Sequence, residues 1–444
     1  MRSSWKIKWI TMLLSVVFLC PIACKKQSGT VAAPDPVIQP SPLIPPSILN
    51  ETHLTNLAVK VNFSNGDQAD GIYIYANAPL YAPVTATDEG FTCVDDVARV
   101  ALFYARSNAF NTDMLVQNKV YGLLRFIINM QSDNGYFYNF LQPGNTINKT
   151  GVTSINQPKW WSWRALQAIT EISPLIRPKN PALANRADAS VLLLINAIKQ
   201  KQVNLPLNTI AVNGIDVPQW LPEGADQAAT LILGLIPYCK QTNDAIIKTY
   251  IQKLANGIVL TQAGDSTHFP YGCFLSSGNT WHAYGSDMAL ALFKAGAFLP
   301  GNGYSEKALS EVSHFYPWLL TNGLRNSFDV SLVNGIYTKE NEKQYEQIAY
   351  GIRPLVFAAI EAYLFTGNEK YADIAGHLAA WFLGSNTATT AMFSVSTGRC
   401  FDGISDGNLV NKNSGAESTI EALLTMQLVS AYPSVKAAMD KYKL

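Results

Sequence analysis

The sequence predicts an all-α fold, an (α/α)6 toroid of six helical hairpins. Three observations predict it. Twelve apolar runs of helical period follow Asp95, they fall into pairs, and in each pair one member is apolar nearly all round while the other carries mixed charge. A helix that is apolar on every side must be buried on every side, whereas one with a charged flank faces solvent. Six helices of the first kind ringed by six of the second close on themselves, so the first and last inner helices become neighbours.

The first 24 residues stand apart from this fold. Arg2, Lys6 and Lys8 precede the apolar run ITMLLSVVFL, and PIAC ends at Cys24, the pattern of a lipoprotein-type signal peptide. Pro21 stands where such signals usually carry an aliphatic residue, so plain secretion is the alternative to lipidation of Cys24. The apolar core is shorter than the roughly 20 residues of a spanning helix. Export is therefore expected, to the periplasm or cell surface, with a membrane anchor through lipidated Cys24. Residues 25–50 are rich in Pro and Ser and lack periodicity, which makes an extended spacer. Residues 51–444 contain no second linker and are expected to form one large domain.

Helices are expected at about 95–110, 113–131, 159–175, 181–201, 223–240, 243–262, 282–299, 304–321, 343–366, 369–384, 415–432 and 434–442. The odd-numbered ones, such as VARVALFYA, AATLILGLI and STIEALLTMQLV, are the inner helices. The even-numbered ones, such as NRADASVLLLINAIKQK, are the outer helices. The inner starts recur at a spacing of roughly 60 to 70 residues, the mark of a repeated α-hairpin.

Composition narrows the function. Removing the leader leaves 30 basic against 32 acidic residues and no basic stripe, so nucleic acid is not an expected partner. The remaining cysteines, Cys24, Cys93, Cys239, Cys273 and Cys400, are widely spaced and form no C-x-x-C pair, which points to neither zinc nor a disulfide scaffold. Cys93 and Cys400 either pair across loops or stay as separate buried thiols. No metal and no cofactor is expected.

In such a ring all six inner N-termini open on one face, where their unpaired N–H groups and dipoles meet. The segments at those ends are TCVDD, KWWSWR, WLPEGADQ, WHAYGSD, QYEQIAYGIR and NSGAEST. They supply far more polar and aromatic groups than six caps require. Aromatics stack on the C–H faces of sugar rings, and carboxylates, amides and guanidiniums bind the hydroxyls, so this face is a candidate saccharide site.

TCVDDVARVALFYAR, NGYFYNF, WWSWRALQAITEI, WFLGSN, STGRCFDGI and NKNSGAESTIEALL resemble, in the same order, the six-hairpin glycosidase-like domains of bacteria. The similarity is to the group with an Asp-Asp-x-Ala-Arg start and a Gly-Ala-Glu-Ser-Thr end, often found attached to or near glycosyltransferases, and it spans about residues 53 to 432. The resemblance implies an (α/α)6 toroid and a carbohydrate-active role. Toroid endoglucanases of this superfamily place an aspartate base on the first inner helix and a glutamate acid on the last. The matching positions here are Asp95 or Asp96 and Glu417.

The expected activity is glycoside hydrolysis, with Asp95 or Asp96 as base, Glu417 as acid, and inversion at the anomeric carbon. Each residue also has a plain structural role open to it: Asp95 and Glu417 suit helix starts, and Arg99 is placed for an i,i+4 pair with Asp95. Expected substrate contacts are Trp160, Trp161, Trp163, Arg164, Glu223, Trp281, His282, Tyr284 and Asp287. Trp160 and Trp163 share one helical face and Trp161 and Arg164 the next, so one set is expected in the core and the other in the cleft. Asn139 and Asp402 lie on rim loops. The alternatives are a polysaccharide lyase acting on uronate glycans through His282, Tyr284 and Arg164, and a toroid that only binds a surface glycan. A terpenoid cyclase is disfavoured, because no third Asp follows Asp95 and Asp96.

Overall fold

The computed structural model describes residues 48–444. The leader at 1–24 with Cys24, and most of the spacer at 25–50, lie outside the described residues. All twelve expected helices form, after a short additional one, α1 (Thr52–Leu57). They are α2 (Val94–Ala105), α3 (Met114–Asn129), α4 (Trp160–Ile176), α5 (Pro181–Lys201), α6 (Ala225–Thr242), α7 (Ala245–Leu260), α8 (Met288–Phe298), α9 (Tyr304–Asn322), α10 (Ala349–Thr366), α11 (Glu369–Ala379), α12 (Ala416–Ser430) and α13 (Pro433–Tyr442).

Helices α2, α4, α6, α8, α10 and α12 pack each against the next, and α12 packs against α2, closing the (α/α)6 ring. Their side chains are buried on nearly all sides, as an all-round apolar sequence requires. Contact between inner helices is close: a Cβ on Gly234 of α6 would lie 2.9 Å from Leu166 Cγ and 3.0 Å from the Gln167 backbone nitrogen of α4. The cysteines of the described residues are four separate buried thiols, and Cys93 and Cys400 are not joined. No helix of the described residues is long and apolar enough to cross a membrane.

The two ends of the ring differ. Inner-to-outer connections are short, whereas every outer-to-inner connection carries short antiparallel strands, so these collect at the inner N-termini. The largest set pairs Ser327–Val333 with Ile336–Lys343 on one side and Thr280–His282 on the other. This pairing corrects two boundaries. The helix expected from His282 starts at Met288, and the one expected from 343 starts at Ala349. Pairing across about 50 residues is invisible to local periodicity.

Capping differs in the same sense. Asp113, Asn180, Asp244 and Asn368 cap outer helices with their side chains. Among the inner helices only α2 is capped by the side chain of its own N-cap residue, through the Cys93 sulfur. Loops take up inner N–H groups instead, Val94 donating to the Asn139 carbonyl, Ala225 to Ser276 and Ala416 to Ile74, while the positive ends of the helix dipoles still favour carboxylates beside them.

Candidate functional site

The first turn of α2 separates the two adjacent aspartates. Successive helical residues point about 100° apart, and Asp96 turns inward while Asp95 turns toward the mouth. Asp96 is buried, accepting from the Cys93 thiol at 3.3 Å. Asp95 keeps 20% of its side chain exposed, and its backbone N–H donates to Asn139 Oδ1 at 3.1 Å. Arg99 lies one turn on and answers both. Its Nη2 donates to Asp95 Oδ2 at 2.9 Å, Asp96 Oδ1 at 2.7 Å and Glu417 Oε2 at 3.2 Å, and its Nη1 to Glu421 Oε1 at 2.7 Å.

Glu417 and Glu421 stand one turn apart on α12. Glu421 is wholly buried and accepts from Arg99 on one oxygen and Arg353 Nε on the other. Arg353 in turn clamps Asp287 with two parallel bonds of 3.0 and 2.9 Å. The series Asp95 and Asp96, Arg99, Glu421, Arg353, Asp287 therefore ties α2, α12, α10 and the start of α8 together beneath the mouth. Buried ions are tolerable only when paired and hydrogen-bonded, and here each has its partner. Burial pushes Glu421 up, but Arg353, Arg99 and Arg164 together hold its carboxyl below the ordinary value. Asp96 goes the other way, burial raising it more than Arg99 lowers it.

Glu417 is the open member. It has 42% of its side chain exposed, into a walled pocket rather than bulk water. Its carboxyl is pushed up to about 7, first by burial, then by Asp96, Glu421 and Asp95, with Arg99 opposing. The pocket has a volume of about 320 Å³, and its lining includes Asp95, Arg99, Tyr350, Asp402 and Glu417. Oxygens of Asp95, Asp96 and Glu417 lie within 4.8 Å of one another, spacing that suits a cation. The Arg99 guanidinium already supplies one there, bonded to all three.

The wall beside Asp95 is aromatic and cationic. Arg164 Nε lies 2.5 Å from Asp95 Oδ1 as a close ion pair whose N–H is not aligned for a hydrogen bond. Its Nη2 bonds the Tyr350 hydroxyl. The Tyr350 ring lies under both guanidiniums, 5.2 Å from Arg99 and 5.0 Å from Arg164. Trp160 sits edge-on to Tyr350 at 6.3 Å, and Gly285 (φ +64°) passes so close that a Cβ would meet both at 2.6 Å.

A second titratable pair lies nearby. His282 stacks on Tyr284 with ring centres 3.7 Å apart, its Nδ1 2.8 Å from the Tyr284 carbonyl and its Nε2 3.1 Å from buried Asp226 Oδ2. Nδ1 must carry a proton to donate to that carbonyl. Burial raises the Asp226 carboxyl despite the His282 ring beside it.

The expected residues thus divide. Asp95, Asp96 and Glu417 meet, and Arg164 and Trp160 stand beside them. Trp163 and Trp281 do not reach the mouth. Trp163 is wholly buried, and Trp281 packs in the core on Phe328 and Phe315. Trp161 and Trp220 are buried and donate to the Phe137 and Lys253 carbonyls. The helical-face expectation for Trp160 and Trp163 fails because Trp160 opens the helix, with no preceding turn to cover it. Glu223 pairs with Lys159 at 2.6 Å rather than with the central cluster. Asp287 is buried against Arg353 below the pocket. Asn139 and Asp402 cap α2 and α12 respectively, Asp402 Oδ1 accepting from the Gly415 N–H at 2.9 Å and Ser418 Oγ at 2.7 Å. Glu421, Arg353, Tyr350 and Asp226 are further members. Glu421 was findable as the i+4 partner of Glu417; the other three lie in the inner-end segments QYEQIAYGIR and WLPEGADQ, whose pattern marks the mouth but not which of its residues join the network.

No protein-family model and no curated protein matches the sequence. Solved structures do match the fold. A sugar epimerase from a ruminal bacterium superposes with a TM-score of 0.60 at 14% identity, over 86% of this chain and 97% of that one. Cellobiose 2-epimerase from Bacillus thermoamylovorans gives 0.57 at 10% identity, over 86% and 95%. A metagenome-derived glycoside hydrolase family 9 endoglucanase gives 0.50 at 11% identity, over 88% and 80%. At such identities the likeness establishes a shared fold, the (α/α)6 toroid of these carbohydrate enzymes.

Proposed function

We propose that the protein hydrolyses a glycosidic bond, with Glu417 as proton donor and Asp95 as the second carboxylate. The observation that carries this is the pairing of unlike carboxyls from the first and last inner helices in one pocket. Glu417, pushed up to about 7, keeps its proton in about half of the molecules at neutral pH, while Asp95 faces the guanidiniums of Arg99 and Arg164. Two carboxyls with opposite tasks are what glycoside hydrolysis requires. Asp96 is a positioning residue, since it is buried against Arg99.

The oxygen separation of at most 4.8 Å between Asp95 and Glu417 bears on stereochemistry. Inverting enzymes leave roughly 6.5 to 9.5 Å for a water, and retaining ones about 5 to 5.5 Å. The spacing therefore favours retention, with Asp95 attacking the anomeric carbon, over the inversion expected from the sequence. An oligosaccharide screen that follows product mass and anomeric configuration tests this. Turnover lost in Asp95→Asn and Glu417→Gln but reduced less in Asp96→Asn supports the assignment. Full turnover in Glu417→Gln overturns it, and inversion overturns Asp95 as nucleophile.

A second reading, a sugar epimerase or isomerase, is favoured by the His282 and Asp226 pair and by the fold shared with sugar epimerases. It requires proton exchange at a ring carbon, which hydrolysis does not. Deuterium entering a sugar C–H bond from D2O would establish it.

The export and lipid anchoring expected from the leader belong to this proposal too, and place the activity on glycans outside the cytoplasm.

A further inference from the structure

We propose that the pocket takes a sugar ring rich in hydroxyl or ammonium donors and bearing no carboxylate, sulfate or phosphate. This rests on the same pocket being the sugar site of the proposed function. Hydrogen-bonding capacity on its lining carries the inference. Arg99 is the cation among the lining residues, its side chain is only 4% exposed, and it is committed to four protein carboxylates. The neighbouring guanidiniums are spoken for as well, Arg164 by Asp95 and Tyr350, and Arg353 by Asp287 and Glu421.

Three other side-chain donors of the lining are engaged by protein acceptors, and the Tyr350 hydroxyl, which accepts from Arg164, is a neutral donor that carries no positive charge to an acidic group. Tyr75 donates to Glu89, Ser418 to Asp402, and the Asn139 amide to the Thr153 carbonyl. What the space meets instead is carboxyls, that of Asp95 paired with Arg99 and Arg164 and that of Glu417, which is charged in about half of the molecules at neutral pH. A hydroxyl or ammonium satisfies such a surface. An acidic substituent finds no free guanidinium and adds a like charge a few ångströms from Asp95, at a cost set by Coulomb repulsion in a partly dry site. This also argues against the uronate lyase, because the Arg164 it needs is already paired.

The test is ligand-observed NMR on the full chain with matched pairs, the methyl glycosides of glucose, galactose and mannose against the corresponding methyl uronides. Affinity electrophoresis through neutral and acidic polysaccharides runs alongside. The expected result is at least tenfold preference for the non-acidic member of each pair. That preference shrinks in the Asp95→Asn, Glu417→Gln double variant, which removes the facing charge. Equal or tighter binding of uronides overturns the proposal, as does discrimination unchanged in the double variant. Because binding is read without turnover, a wild type that prefers neutral sugars yet cleaves none sinks the hydrolase assignment and leaves this one standing.

Discussion

Glu421 is the keystone of the charge network, and replacing it with glutamine tests the whole construction. The substitution preserves shape but removes one negative charge from between Arg99 and Arg353. It also turns an NH2 group, which cannot accept, toward one of them. Breaking a wholly buried pair in this way costs roughly 3 to 5 kcal/mol. A domain of about 400 residues unfolds with an entropy of roughly 0.8 kcal/mol/K, so the melting temperature falls by about 4 to 6 °C.

The pH dependence follows from the depressed Glu421 carboxyl. A carboxyl held below its ordinary value, here 4.5, contributes stability that is complete above that value and disappears as pH falls through the folded one. The gap between wild type and variant is therefore full at pH 7 and closes below about 4.5, while the other carboxyls titrate in both chains and largely cancel. Thermal melts followed by near-ultraviolet circular dichroism from pH 7 to pH 3 measure it. A drop of under about 1 °C at pH 7, or a gap that stays constant to pH 3, refutes the reasoning, since the effect is built on magnitudes of this order.

Other outcomes follow from single positions. If Glu417 is the proton donor, wild-type turnover falls on the alkaline side with an apparent pKa near 7; a rate flat from pH 5 to 9 excludes it. Trp281→Ala removes a wholly buried ring and lowers stability by about 3 to 5 kcal/mol, while KM of the surviving fold stays within twofold. A large KM change would return Trp281 to the substrate surface. Gly285→Ala forces a Cβ onto Trp160 and Tyr350 at a left-handed backbone position. Activity is expected to drop about tenfold through the displaced mouth, equivalent to about 1.4 kcal/mol, and steady-state kinetics check it. Gly234→Ala, far from the pocket, should instead cost stability through the α4 and α6 contact and leave KM unchanged.

Much of the fold was legible because the information is local. All-round apolar runs and mixed-charge runs alternate along the chain, and burial follows from that pattern whatever the partner is. The ring and its closure then place Asp95, Asp96 and Glu417 at one mouth, although more than 300 residues separate them. Alternation of helix type carries no information about orientation within the mouth, and so Trp163 and Trp281 could not be told from Trp160.

What the sequence determined by itself is the set of helices, their inner or outer rank, and the face on which polar and aromatic groups gather. Only the tertiary structure decided which of the two aspartates, both of them lining the pocket, keeps its side chain exposed there. That choice depends on Arg99, Glu421, Arg353 and Asp287, four charges from four helices that neutralise one another in a buried chain. Such pairing is a property of distances across the ring, and a rotation of about 100° per residue is enough to leave the Asp95 side chain partly exposed and to bury Asp96 in that chain.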